Sequence, residues 1–205
     1  MSASEAVRTR VRDSEPEEAL SRRVLDAALG AFEENGIQRT TMHGIARRAG
    51  LGRATVYRRY PDKDAMVSAV LLREVRRFLE TVDEAVGRFT DPAEQIVETY
   101  VVVMTGLRGH RLLNRLLTHD TRDVLPSMTV HAGTILAIGR DFLAEKLRAH
   151  RRAGRLPVVD PDVTAEVYVR LVHSMLLTPD GGIPDTGDER SRAFARRQLV
   201  PLLGN

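Results

Sequence analysis

Residues 40–63 read TTMHGIARRAGLGRATVYRRYPDK, and this stretch decides the fold. A threonine at its start can cap a short helix whose Ile45 and Ala49 face inward. Gly50 permits the left-handed residue that ends that helix. A second short helix starts near Arg53, with Gly52 at its cap position. Pro61-Asp62 stops it and caps the next one. Two short helices joined by a tight glycine-containing turn make a helix-turn-helix. The spacing buries Val56 and Tyr60 of the second helix and leaves Arg53, Thr55, Tyr57, Arg58 and Arg59 facing outward. That side-chain set suits DNA: arginine takes guanine edges or phosphates, and threonine and tyrosine hydroxyls take phosphates.

The charge distribution points the same way. Net charge is only +3 over 205 residues. Within 35–63, however, Arg39, Arg47, Arg48, Arg53, Arg58, Arg59 and Lys63 face a single acid, Asp62. Residues 64–205 are balanced, so the basic cluster is the footprint expected for a polyanionic partner.

Upstream, residues 1–16 are polar and without period, and read as a flexible arm. Arg8, Arg10 and Arg12 belong to it. A helix is expected over 17–35, with Leu20, Val24, Ala28, Ala31 and Phe32 on one face and Asn35-Gly36 at its end. Downstream, a long helix over 63–86 carries Val67, Leu71, Val75, Phe78 and Val82 on one stripe, broadened by Val70. Further helices are expected over 92–107, 111–119, 127–152, 162–178 and 188–203, with a break at Pro126 and a loop over 178–187. No strand pattern and no internal repeat occur, so the chain reads as all-α, about nine helices in total.

The run AGLGRATVYRRYPDKDAM, with TTMHGIARRAG and FEENG before it, resembles the DNA-binding head of TetR-type transcriptional regulators. The resemblance covers residues 17–82 and rests on Thr41, Ile45-Ala46, Ala49-Gly50, Thr55, Tyr57 and Lys63. Gly52 departs from the small polar cap common in the family, and Arg58-Arg59 from its usual aromatic or arginine followed by histidine. After the arm at 1–16, the family implies a three-helix DNA-binding domain at 17–63 and a helical effector-binding and dimerisation domain at 64–205, with 64–86 as the linking helix.

Arg53 and Arg58 are candidates for guanine contacts, and Thr55, Tyr57 and Lys63 for phosphates. Tyr57 and Lys63 match family positions that touch the DNA backbone. Thr41, His43 and Arg59 complete the candidate DNA-binding set, His43 for a base or a phosphate. Arg47 and Arg48 are expected to face solvent or a second row of phosphates. One head reads few base pairs, so a homodimer on a palindromic double-stranded operator is expected. Val167, Leu171, Met175, Phe194 and Val200 of the last two helices are candidate interface residues, since both helices are more apolar than a surface helix needs. In TetR-type proteins these helices form a four-helix bundle between subunits.

The body is expected to hold a pocket for a small apolar or amphipathic effector. Candidate lining residues are Tyr100, Met104, Leu107 and Leu116, then Met128, His131, Ile135 and Tyr168. His131 stands out as a polar group on a mostly apolar stripe. The resemblance implies a repressor released from its operator when ligand binding moves the heads through the linking helix. A DNA-binding regulator or architectural protein with no small-molecule effector is the alternative, and a helical small-molecule carrier the second.

Other classes find no support. The chain has no cysteine, so disulfides, thiolate metal sites and cysteine nucleophiles are excluded. No HExxH helix or phosphate-binding glycine turn occurs, and neither a catalytic site, a metal nor a cofactor is expected. The longest nearly apolar stretch, 100–107, falls far short of the roughly 18 residues of a membrane span, and no signal peptide is visible. A soluble cytoplasmic protein is the expectation.

Overall fold

In the computed structural model, residues 3–119, 121–157, 159–179 and 181–204 are described, with side chains from Glu17 onward except at 122–124 and 127. Helix α1 spans Ala3–Arg39, and its helical backbone is interrupted at Gly36 (φ 81°, ψ 164°), where the sequence expects the end. It starts at Ala3 rather than at 17, so the segment read as a flexible arm is helical. That segment is free of glycine and rich in alanine, glutamate and arginine, which favour helix even without a packing face. The side chains of Arg8, Arg10 and Arg12 lie outside the described residues.

Val24, Ala28, Ala31 and Phe32 of α1 are buried, as their spacing predicts. The buried Thr40 hydroxyl lies 2.7 Å from the Gly36 carbonyl and 3.1 Å from that of Ala31, and donates to carbonyls that the interrupted helix would leave unpaired. Helix α2, Met42–Arg48, is capped by Thr41, whose hydroxyl accepts from the Gly44 N–H at 3.0 Å. Gly50 takes φ 64°, and the Leu51 N–H returns to the Ala46 carbonyl, closing α2 as the glycine signal requires. Helix α3, Arg53–Arg59, follows, with Gly52 as its cap. Val56 is fully buried, whereas Tyr60, expected to be buried, sits half-buried in extended backbone just past the helix end.

Helix α4, Lys63–Val86, has its first turn capped by Asp62, which accepts from the Ala65 N–H at 2.7 Å. The chain divides into two compact units inside this helix, between Arg73 and Glu74. The expected boundary at 63/64 falls too early. Met66 and Val70 are fully buried, and Arg73 pairs with Asp26 and donates to the Arg22 carbonyl, so the first turns of α4 belong to the head. Of the predicted stripe, Val70 and Val82 are fully buried, whereas Val67 and Leu71 are half-buried and Met66, beside them, lies deeper.

The second unit contains α5 (Pro92–Gly109), α6 (Arg111–Thr118), α7 (Thr121–Met128), α8 (Gly133–Arg152), α9 (Pro161–Leu177), α10 (Glu189–Gln198) and a 3-10 turn, Val200–Leu203. Helix α8 packs on α9 and α10 packs on α5. Val82, Val97, Tyr100, Met104, Leu143, Leu147, Tyr168 and Leu199 lie in the common core. Among the described residues there are ten α-helices and no strand.

The extra helix is α7. Pro126, read as a break before one long helix from 127, lies inside α7. The break follows it: the His131 N–H turns back to the Pro126 carbonyl, and α8 begins at Gly133. The β-branched pair Thr129-Val130 there is a poor helix former. Pro201 likewise converts the end of the last predicted helix into the 3-10 turn. Among the described residues no helix is long and apolar enough to cross a membrane.

Candidate nucleic-acid interface and body cavity

Burial of Val56 orients α3 within the head and turns Arg53, Tyr57 and Arg58 outward; Tyr57 is 46% exposed despite its ring. Arg53 Nε donates to His43 Nδ1 at 2.7 Å. This bond requires an unprotonated Nδ1, so the imidazole proton sits on Nε2. It also fixes the guanidinium of Arg53 by its inner nitrogen and leaves the two terminal nitrogens as a fork. Two residues that the sequence nominates separately are thereby joined into one donor group. Thr55 is half-buried beside them.

Other members of the basic cluster have internal partners. Arg59 is half-buried and pairs with Glu17 of α1 at 2.5 Å. Arg48 makes a bidentate pair with Glu34, at 2.5 and 2.6 Å. A Cβ at Gly30 would lie 2.7 Å from Arg48 Nη2, so this mid-helix glycine makes room for the pair. Lys63 donates to the Gln38 carbonyl at 3.0 Å while keeping its charge. Arg23 donates to the Ala49 carbonyl at 2.9 Å and steadies the turn between α2 and α3. Thr41 is occupied as the α2 cap. The face available to a ligand is therefore His43, Arg53, Tyr57 and Arg58, flanked by Arg47 and Lys63.

The second unit holds a cavity of about 150 Å³ between α4, α5, α8 and α9. Val75, Phe78 and Leu79 of α4 line it, with Val103 and Leu107 of α5, Ile135 and Phe142 of α8, and Val169 and Val172 of α9. Its polar residues are Thr99, Tyr168 and His173. Gly106 lets Phe78 approach α5, for a Cβ there would stand 2.4 Å from Phe78 Cε2.

Of the residues nominated for a pocket, Leu107, Ile135 and Tyr168 line this cavity. Tyr100, Met104 and Leu116 are core residues that do not reach it. Met128 contributes only its carbonyl, which the His173 Nε2 contacts at 2.8 Å. His131 is exposed in the turn before α8, because α8 starts two residues after it. The cavity histidine is instead His173; its place between Val172 and Leu176 on α9 is the signal that could have found it.

The two buried tyrosines differ. Tyr100 donates to the Pro184 carbonyl at 2.6 Å, and burial pushes its phenol up to about 12, slightly offset by the charge of Arg108. The Tyr168 hydroxyl is buried without a hydrogen-bond partner, and burial together with Tyr100 holds it well above the usual phenol range. Arg108 pairs with Asp185, which with the Tyr100 bond ties the 178–187 loop to α5.

On α9, Val163 and Val167 are exposed at 59% and 47%. Leu171, Phe194 and Val200 are half-buried. Met175, nominated for an interface, is a core residue whose sulfur lies 3.8 Å from the Tyr100 hydroxyl. It is 7% exposed and lies against Tyr100 of α5, so it is withdrawn from the interface set.

Residues 24–70 match the family model described as bacterial regulatory proteins, tetR family. The HTH-type transcriptional regulator Mb2274c of Mycobacterium bovis is 29% identical over 158 residues, covering 77% of this chain and 80% of that protein. The TetR family repressor AlkX from a Dietzia strain superposes with a TM-score of 0.69 at 20% identity, covering 89% of this chain and 94% of its own. RolR, solved in complex with resorcinol, superposes with a TM-score of 0.64 at 16% identity, covering 93% and 94%. The matched segment contains the whole two-helix motif with its exposed His43, Arg53, Tyr57 and Arg58, and the likeness of fold extends through the helical body. Residues 24–70 are thus a DNA-binding segment of the tetR type, and over most of its length the chain is similar to HTH-type transcriptional regulators.

Proposed function

We propose that the protein represses transcription as a homodimer bound to a palindromic operator and leaves the DNA when a small molecule occupies the cavity of its body. The observation that carries the reading is the outer face of α3, where Arg53, aligned by His43, stands with Tyr57 and Arg58. Inserted in a major groove, the Arg53 fork suits guanine O6 and N7, and Arg58 a second base or a phosphate. Tyr57, Thr55, Arg47 and Lys63 supply phosphate contacts that set the register. Arg48 and Arg59 hold the head together through Glu34 and Glu17.

The exposed Val163 and Val167 support a second copy of the chain packing along α9, joined by Leu171, Phe194 and Val200. Two heads then read half-sites about one helical turn apart, roughly 34 Å. Effector control is supported by α4, which supplies part of the cavity wall and is continuous back to Lys63. A ligand that prefers one placement of α4 biases DNA affinity by its difference in affinity for the two placements. The resorcinol complex of RolR supports an effector role for the body.

Selection of binding sites from random duplex DNA tests the reading. An inverted repeat is expected. Arg53→Ala is expected to relax preference at one symmetric base pair by about 1–3 kcal/mol while other positions keep theirs. Failure to enrich any duplex sequence, or an unchanged site for the variant, overturns it.

A further inference from the structure

The wall of the body cavity decides which molecules it can hold. We infer that it takes a pure hydrocarbon about the size of one six-membered ring, and discriminates against molecules of the same shape that carry a hydroxyl, carbonyl or charged group. The bearing of this on repression rests on reading the cavity as the effector site. Size follows from the volume of about 150 Å³, since an apolar cavity of about 150 Å³ accommodates benzene. Charge is the first group excluded. No aspartate, glutamate, lysine or arginine lines the cavity, so a carboxylate or ammonium would lose its hydration with no counter-charge in return.

Neutral polar groups fare little better. Thr99, Tyr168 and His173 stand on the wall, yet almost all of the surface turned to the cavity is carbon. Thr99 and Tyr168 are each only 3% exposed. The Thr99 hydroxyl donates to the Gln95 carbonyl at 2.7 Å, within its own helix. The Tyr168 hydroxyl is itself buried and has no surface to offer a ligand. The His173 Nε2 is held by the Met128 carbonyl at 2.8 Å. A ligand oxygen would give up water and gain no hydrogen bond from such a wall, whereas a methyl group in its place loses nothing. Selection is thus by penalty on the wrong ligand rather than by a special contact to the right one. A hydrophobic site rejects an isostere bearing one added hydroxyl by about a hundredfold at most.

Calorimetric titration of the full-length protein with toluene, phenol and octanoate tests this, because toluene and phenol differ only by a methyl for a hydroxyl. Toluene is expected to bind, phenol about ten- to a hundredfold more weakly, and octanoate without detectable heat. Val103→Thr and, separately, Val172→Thr replace a wall methyl by a hydroxyl at nearly constant volume. In a helix that hydroxyl can give its proton to a carbonyl one turn back and keep its oxygen to accept from phenol. The preference for toluene over phenol should then shrink about three- to tenfold in at least one of the two. Phenol or octanoate binding as tightly as toluene overturns the proposed class, and so does an unchanged preference in both variants. Failure of all three probes to bind a protein that still binds its operator overturns it as well. Release of operator DNA is scored in parallel. Toluene that binds with the threonine dependence yet leaves the DNA complex intact supports the ligand class and refutes the effector reading of the cavity.

Discussion

Replacing Gly106 by alanine would set a methyl group 2.4 Å from Phe78 Cε2 and 3.1 Å from its Cζ, well inside any real carbon contact. The ring must move, and it borders the cavity, so it has somewhere to go. Two contributions to stability then oppose each other. Alanine in place of a helical glycine stabilises by up to about 1 kcal/mol, less here in the last turn of α5. Overpacking costs about 1–3 kcal/mol, and the low end applies because the displaced group enters a void. The net change should lie within about 1 kcal/mol, or a melting shift of roughly 2–4 °C for a chain of this size. The cavity, by contrast, loses room for a ring. Affinity for toluene, an apolar probe of ring size, should fall at least about tenfold, about 1.4 kcal/mol. Thermal melting at fixed protein concentration and calorimetric titration measure the two effects separately. A variant that melts close to wild type and binds toluene as tightly as wild type refutes the displacement of Phe78. One that loses more than roughly 3 kcal/mol shows that the ring has no free path.

His43→Ala should relax operator preference at the same base pair as Arg53→Ala, and His43→Gln, which retains an acceptor for Arg53 Nε, should restore much of it in a binding-site selection. Thr40→Val should destabilise by about 1–3 kcal/mol in urea titrations by removing the donor to the Gly36 carbonyl, whereas Thr40→Ser should hold most of that stability. His150 is buried against Gln95 Oε1 at 2.8 Å, and burial holds its pKa below the usual imidazole value. The neutral form is favoured in the folded state, so its contribution is present above the ordinary pKa of about 6.5 and is lost as pH falls through the lower native value. The urea midpoint should therefore drop between pH 7.5 and 5.5, and His150→Gln should make that drop smaller.

The head was the most legible part of the chain because its boundaries are set locally. Thr41, Gly50, Gly52 and Pro61-Asp62 are backbone signals, and the helices start and stop where they stand. Its ion pairs were not legible. Arg59 meets Glu17 across 42 positions and Arg48 meets Glu34 across 14, and no sequence spacing announces such partners. In the body, helix number depended on how one proline was read. Pro126 lies inside α7, and the true break falls at the turn behind it, which exposes His131. Periodicity could nominate Tyr100, Met104 and Tyr168 as inward-facing, and all three are buried. It could not say which inward residues border a void, because that depends on how α4, α5, α8 and α9 fit together. Hence Phe78 and His173 were missed.

The ion pairs of the head change how many counterions DNA binding should displace. Arg48 and Arg59 are already neutralised by Glu34 and Glu17. Among the described residues of the 35–63 cluster, that leaves Arg39, Arg47, Arg53, Arg58 and Lys63 with charge to offer a phosphate. Each phosphate neutralised contributes about 0.9 to the slope of log affinity against log salt. The cluster in each head thus supplies at most about 4.5 to that slope, less for any arginine that reads a base instead. A steeper dependence removed by Arg48→Gln or Arg59→Gln would report that a glutamate releases its arginine on the operator, exchanging an internal partner for an external one.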